Sequence, residues 1–177
     1  LLDEPPQGNV KILLQVLWPY AAGRWGHLAP FDAIGAMNRI KRAQGAARRP
    51  ALQASLEDLM FSLARIAEAH MHELPVKYMA LAANAVSSCT SPRSRAAKKA
   101  LLGAVADSCC ARRDPAQFDP QAVSMIANAM AKSSVRDKHL LAHLARVIGC
   151  WDLDACDCSA QAVAVIANAY AKLAAHD

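Results

Sequence analysis

Apolar residues recur along this chain at alternating steps of three and four, the spacing that lines one face of an α-helix. Between residues 50 and 72, Leu52, Leu56, Leu59, Leu63 and Ile66 form such a stripe. Ala97, Leu101, Ala104, Val105 and Ser108 form another within 92–111, and Leu140, Leu141, Leu144, Val147, Ile148 and Trp151 a third within 137–151. Turn and capping residues bound them. Ser91-Pro92 and Asp119-Pro120 each put a capping side chain before a proline whose missing N–H costs nothing in a first turn, and Asp137 is placed to cap the helix after it. No alternating, β-branched run bounded by turn residues occurs, so the pattern predicts helices and no sheet.

The segments between these stripes repeat. Residues 118–137 (FDPQAVSMIANAMAKSSVRD) and 158–177 (CSAQAVAVIANAYAKLAAHD) are identical at ten of twenty positions at an offset of 40. Weaker copies lie at 74–88, where Ala83-Asn84-Ala85 matches Ala127-Asn128-Ala129, and at 30–42, anchored on Asn38. The anchoring asparagines stand 46, 44 and 40 residues apart, room for two helices and two turns. Such a period predicts an all-α chain, an α-solenoid of antiparallel helix-turn-helix repeats, about three and a half of them. Residues 1–29 are a lead-in with one helix at 10–22. The repeat domain is 30–177, with pairs at about 30–72, 75–112 and 119–151 and a half repeat at 159–175.

Composition sharpens this picture. The chain is rich in alanine, and only 5% of its residues are aromatic. Alanine is the best helix former and lets helices approach closely. No run reaches the roughly 18 apolar residues a bilayer crossing needs; the best, Val10 to Ala22, holds Lys11, Gln15 and Pro19. Six cysteines show no paired spacing. They read mainly as small packing residues of a reducing compartment, with Cys156-Asp157-Cys158 the one place where a metal or redox site is conceivable.

Charge is uneven. Residues 1–113 carry fifteen Lys/Arg against eight Asp/Glu, and residues 114–177 five against seven. Clusters stand at Arg39, Lys41, Arg42, Arg48 and Arg49, then at Arg93, Arg95, Lys98 and Lys99, then at Arg112 and Arg113. These mark either a polyanion partner or ordinary solvated loops. On a helical wheel of 121–132, Val123, Ile126, Ala127 and Met130 fall together, while Gln121, Asn128 and Lys132 gather opposite. Gln161, Asn168 and Lys172 repeat that polar stripe, Lys77, Asn84 and Ser88 make a version of it, and Asn38 and Arg42 keep part of it. A mid-helix asparagine costs about 0.7 kcal/mol against alanine, so its recurrence requires a compensating partner: a neighbouring backbone group, or an RNA base edge. On the last helix the apolar stripe is Val163, Ile166, Ala167, Tyr170 and Leu173. Val165 and Ala169 form a second strip there, expected to be exposed and, with Tyr170, to meet another protein chain.

Catalytic constellations are missing. His139 and His143 have metal-ligand spacing, but no glutamate lies between them and no third ligand is evident. There is no glycine-rich phosphate loop or nucleophile elbow. The chain is not expected to be an enzyme, nor to use a cofactor, a metal or a small-molecule substrate.

The phrase Phe118-Asp119-Pro120-Gln121 followed by Ile126-Ala127-Asn128-Ala129-Met130-Ala131-Lys132 resembles the octotricopeptide and heptatricopeptide repeats of organellar proteins, related to the helical region of FAST-kinase-like and RAP-domain proteins. The resemblance covers 30–177 and is strongest at 118–177. It implies RNA work in a mitochondrion, or less readily a plastid: transcript processing, stability or translation, or a place in a mitochondrial ribosome. The repeats here run longer than that family's usual period, which suits a subunit embedded in a ribonucleoprotein. The expectation is therefore a mitochondrial ribosome component touching rRNA and neighbouring proteins of a large complex. The alternative is a protein–protein scaffold of another organellar complex without direct RNA contact.

Overall fold

The computed structural model describes residues 12, 14–19, 28–44, 50–152 and 158–174, and among these there is no strand. Seven helices carry the fold from residue 30 onward: α1 (Pro30–Gln44), α2 (Pro50–Ala69), α3 (Val76–Val86), α4 (Ser94–Cys110), α5 (Pro120–Lys132), α6 (Lys138–Gly149) and α7 (Ala160–Ala174). Residues 14–19 of the lead-in are also helical, and Leu14 and Leu17 pack against the core. Residues 10, 11, 13 and 20–22, together with Arg48, Arg49 and Cys156, lie outside the described residues. No described helix is long and apolar enough to cross a membrane.

The helices sort into two layers. α1, α3, α5 and α7 pack side by side in series, while α2, α4 and α6 pack in series on the other side. Contacts of α1 with α2, α3 with α4, and α5 with α6 join the layers. The sequence shows why. Helix α3 buries seven of its eleven residues, four of them alanines, because it is wedged between α1 and α5 and backed by α4. By contrast, α2 and α6 bury single stripes, Leu56, Leu59 and Leu63 in one and Leu140, Leu144 and Val147 in the other. One continuous apolar core runs from Ile34 through Met79 and Ile126 to Leu173.

Caps end the helices where side-chain chemistry allows. The Asp119 carboxylate accepts from the Ala122 N–H at 2.7 Å, with Pro120 in the first turn. Asp137 does the same for Leu140 at 2.8 Å, and Ser159 for Ala162 at 3.2 Å. Ser91 departs from expectation. Its hydroxyl caps nothing, and α4 begins three residues later, at Ser94, after a tight turn in which the Ser94 N–H donates to the Ser91 carbonyl at 3.0 Å. The backbone N–H groups of Thr90 and Ser91 instead donate to the Glu57 carboxylate. At its other end α5 closes through Ser134 in the left-handed region, φ 51°, with the Val135 N–H donating back to the Met130 carbonyl at 3.0 Å.

These two loops separate by mutation. Asp119→Ala removes a formed cap and lowers unfolding stability by about 1 kcal/mol, whereas Ser91→Ala removes a hydroxyl with no protein partner and leaves stability unchanged or higher. Denaturant titration of both variants checks the difference; equal losses would contradict the capping assignment.

Candidate nucleic-acid interface

The series α3–α5–α7 brings polar residues from three helices to one groove. Asn84 of α3, Gln121 and Asn128 of α5, and Gln161 of α7 line a cavity of about 410 Å³, with Ser124, Met125 and Val165 completing its walls. The amides are thus gathered by lateral packing of the helices, as the wheel of α5 suggested for Gln121 and Asn128 alone. Their partners differ. Asn38 turns its amide to its own helix, donating to the Ile34 carbonyl at 3.0 Å, which satisfies it without any ligand. The Asn84 amide instead lies 3.6 Å from the Met125 sulfur, a weak acceptor. Asn168 is exposed and outside the groove. Met125 was not among the expected site residues, because the wheel of a single helix does not reveal what the next helix brings over it.

The basic residues divide three ways. Arg95, Lys98 and Lys99 in the first turns of α4, Lys132 at the end of α5 and Arg136 in the turn after it line one cleft of about 630 Å³, and no carboxylate lies in its wall. Lys98 is anchored there, its ammonium donating to the Cys89 carbonyl at 2.7 Å. Lys41 stands within electrostatic reach: burial, then the charges of Lys132 and Arg42, hold its ammonium below the usual lysine value. Arg39, Arg42 and Lys172 are exposed and outside this cleft. Arg93 faces another groove, shared with Glu57 and Asp58. Arg112 has a structural engagement: its guanidinium donates to the carbonyls of His72 at 3.0 Å and Leu74 at 2.9 Å and to the Gln117 side chain. It clamps the turn before α3 to the end of α4.

A third cavity, of about 400 Å³, is lined by Cys110, Arg112, Arg113, His143, Arg146 and Cys150, together with Pro115 and Val147. His143 is buried and packs edge-on against Phe118, ring centroids 5.3 Å apart, whereas His139 is exposed. The spacing of the two histidines therefore serves packing on one side and solvent on the other. Among the described residues no group of three or more His, Cys, Asp or Glu side chains could hold a metal ion. The cysteines do not all pack as expected. Cys89 and Cys109 are buried, but Cys110 and Cys150 are exposed, because they end α4 and α6 at the rim of this cavity.

The last helix is rotated from the expected orientation. Ala169 is only 1% exposed and Val165 is half-buried, since this side of α7 lies on α5. Tyr170 is half-buried, its hydroxyl donating to the Leu141 carbonyl at 2.8 Å. The open apolar side is instead Val163, at 53% exposure, with Ala164 and Ala167. Val123 and Ala127, the equivalents in α5, are fully buried, since α5 lies between α3 and α7 whereas α7 packs on α5 alone among the described helices of its layer.

No family model matches this chain, and no curated protein or solved structure matches it either.

Two titrations check this description. Burial raises the Cys89 thiol to about 11 and the Cys109 thiol to about 12, and raises Cys110 to a lesser degree. Among these and Cys150, a brief alkylation at pH 8 followed by mass spectrometry therefore labels the exposed Cys110 and Cys150 before the buried Cys89 and Cys109; early labelling of Cys109 would contradict its burial. Burial, and then the charge of Arg146, hold the His143 imidazole below the ordinary 6.5. The unfolded chain then takes up that proton more readily than the folded one. Stability is full above pH 6.5 and falls as pH drops below it toward the lowered folded value. His143→Phe should flatten this fall in melting temperature; an unaltered profile would assign it to other groups.

Proposed function

We propose that this chain is an α-solenoid of antiparallel helix pairs that binds RNA without catalysing a reaction, as part of an organellar ribonucleoprotein and most concretely of a mitochondrial ribosome. The observation that carries the reading is the basic cleft. Arg95, Lys98 and Lys99 of α4 and Lys132 of α5, far apart in sequence, put four cationic side chains around one volume with no carboxylate in its wall. Like charges held this close repel one another, and a polyanion offsets that repulsion.

The amide groove adds to the reading. Asn128 and Lys132 are one turn apart on α5, about 6 Å along its axis. A strand whose phosphates occupy the cleft thereby lays its bases toward the amides of Asn84, Gln121, Asn128 and Gln161. The two-layer packing, with equivalent helices in series, supports the solenoid. The organellar and ribosomal placement rests on the resemblance at 118–177.

Salt dependence tests the RNA reading. Each single-strand phosphate contact contributes about 0.7 to the slope of log affinity against log salt. Replacing Arg95, Lys99 and Lys132 by glutamine should lower the slope for single-stranded RNA by about 2 while the circular dichroism spectrum stays helical. Wild-type protein with no measurable RNA affinity would favour a protein scaffold instead. Cosedimentation of the native protein with ribosomal RNA, and its release by nuclease, tests the ribosomal placement.

A further inference from the structure

The cleft carries more than charge. The hydroxyl oxygens of Ser91 and Ser133 are buried and meet no hydrogen-bond partner, and both residues line it. An unpaired buried hydroxyl is destabilising and uncommon. Both residues are half-buried rather than sealed and line the cleft, and a serine hydroxyl has three staggered χ1 positions through which to reach a ligand there. Beside them Ser134, also in the wall, is the one non-glycine residue with positive φ among the described residues. Its φ closes the end of α5, and it sets the turn that carries Ser133 in the wall. Two separate features, cations and orphaned hydroxyls, coincide at one place.

The charge density narrows the ligand. Arg95, Lys98, Lys99 and Lys132 already place four positive charges around about 630 Å³. One phosphodiester carries a single negative charge and two free oxygens. A phosphomonoester carries about −1.5 to −2 and three strong acceptor oxygens, which matches a wall of ammonium, guanidinium and hydroxyl donors better. We propose that the cleft between the first turns of α4 and the α5–α6 turn binds a terminal phosphate, the phosphomonoester end of an RNA strand, through Arg95, Lys99 and Lys132 and the hydroxyls of Ser91 and Ser133. The identity of the strand rests on the RNA-binding reading above; the same chemistry also takes a free polyphosphate.

The test compares one short single-stranded RNA bearing a 5′-phosphate, a 3′-phosphate or hydroxyls at both ends, by fluorescence anisotropy. One phosphorylated form should bind on the order of tenfold tighter than the hydroxyl form. Ser133→Ala should erase that preference without lowering the melting temperature, since the lost hydroxyl has no protein partner. Equal affinity for all three strands overturns the inference and leaves the RNA reading standing. If no strand binds, pyrophosphate alone decides. A rise in wild-type melting temperature that Ser133→Ala and Lys132→Gln abolish upholds the phosphate site while the RNA reading fails. The absence of any rise overturns both.

Discussion

Everything in this molecule hangs on how closely its first helices pack side by side. Helix α3 buries Ala80, Ala82, Ala83 and Ala85 completely, α5 buries Ala122, Ala127 and Ala129, and α7 buries Ala162 and Ala169, and these three helices lie side by side. Alanine has no side chain beyond Cβ to hold helices apart, so these axes can settle at the short end of the usual 8–10 Å range. Larger residues, such as Met37, Met79, Ile126 and Met130, are buried in the same core, and the Cys109 thiol of α4 meets the Met79 sulfur of α3 across the layers. The phrase Ile126-Ala127-Asn128-Ala129 of α5 shows that geometry, its isoleucine and alanines fully buried and its asparagine half-buried at the border.

The candidate interface follows from the same contact. Where the alanine seams reach the surface, the polar residues bordering them are brought together across helices, and the groove of Asn84, Gln121, Asn128 and Gln161 results. Where the helices end, their caps and turns meet in the same way, and the first turns of α4 come to face the α5–α6 turn. Neither place is the work of one segment. A dinucleotide-binding glycine motif can announce itself within a few residues; here the groove and the cleft each draw side chains from separate helices.

Asparagines that look equivalent in sequence do different work. Asn38 is satisfied by the Ile34 carbonyl of its own helix, whereas Asn84 lies over the Met125 thioether of the next. The first asparagine is thus paired within its own helix and the second across to the neighbouring one. The basic residues diverge likewise: Arg95 and Lys132 line an open cleft, while Arg112 is committed to the carbonyls of His72 and Leu74. Charge density along a sequence does not distinguish a solvated cation from a clamp, because the carbonyls that engage it come from a turn some forty residues away.

The sequence by itself determined the helices. Stripe spacing, prolines and the aspartate caps are local properties, decided within a turn or two of chain, so α5 and α6 begin where Asp119 and Asp137 direct. Ser91-Pro92 shows the limit even there, since Glu57 from another helix captures the N–H groups of Thr90 and Ser91 and α4 starts later. Only the tertiary structure decided which face of a helix is covered. In α7 the apolar residues surround most of the axis, so no wheel could say whether Val163 or Ala169 would be exposed. Packing against α5 settled it, burying Ala169 and leaving Val163 open. A helix that is apolar on most sides takes its orientation from its neighbours, because burial energy depends on what covers a side chain and not on where it stands in the chain.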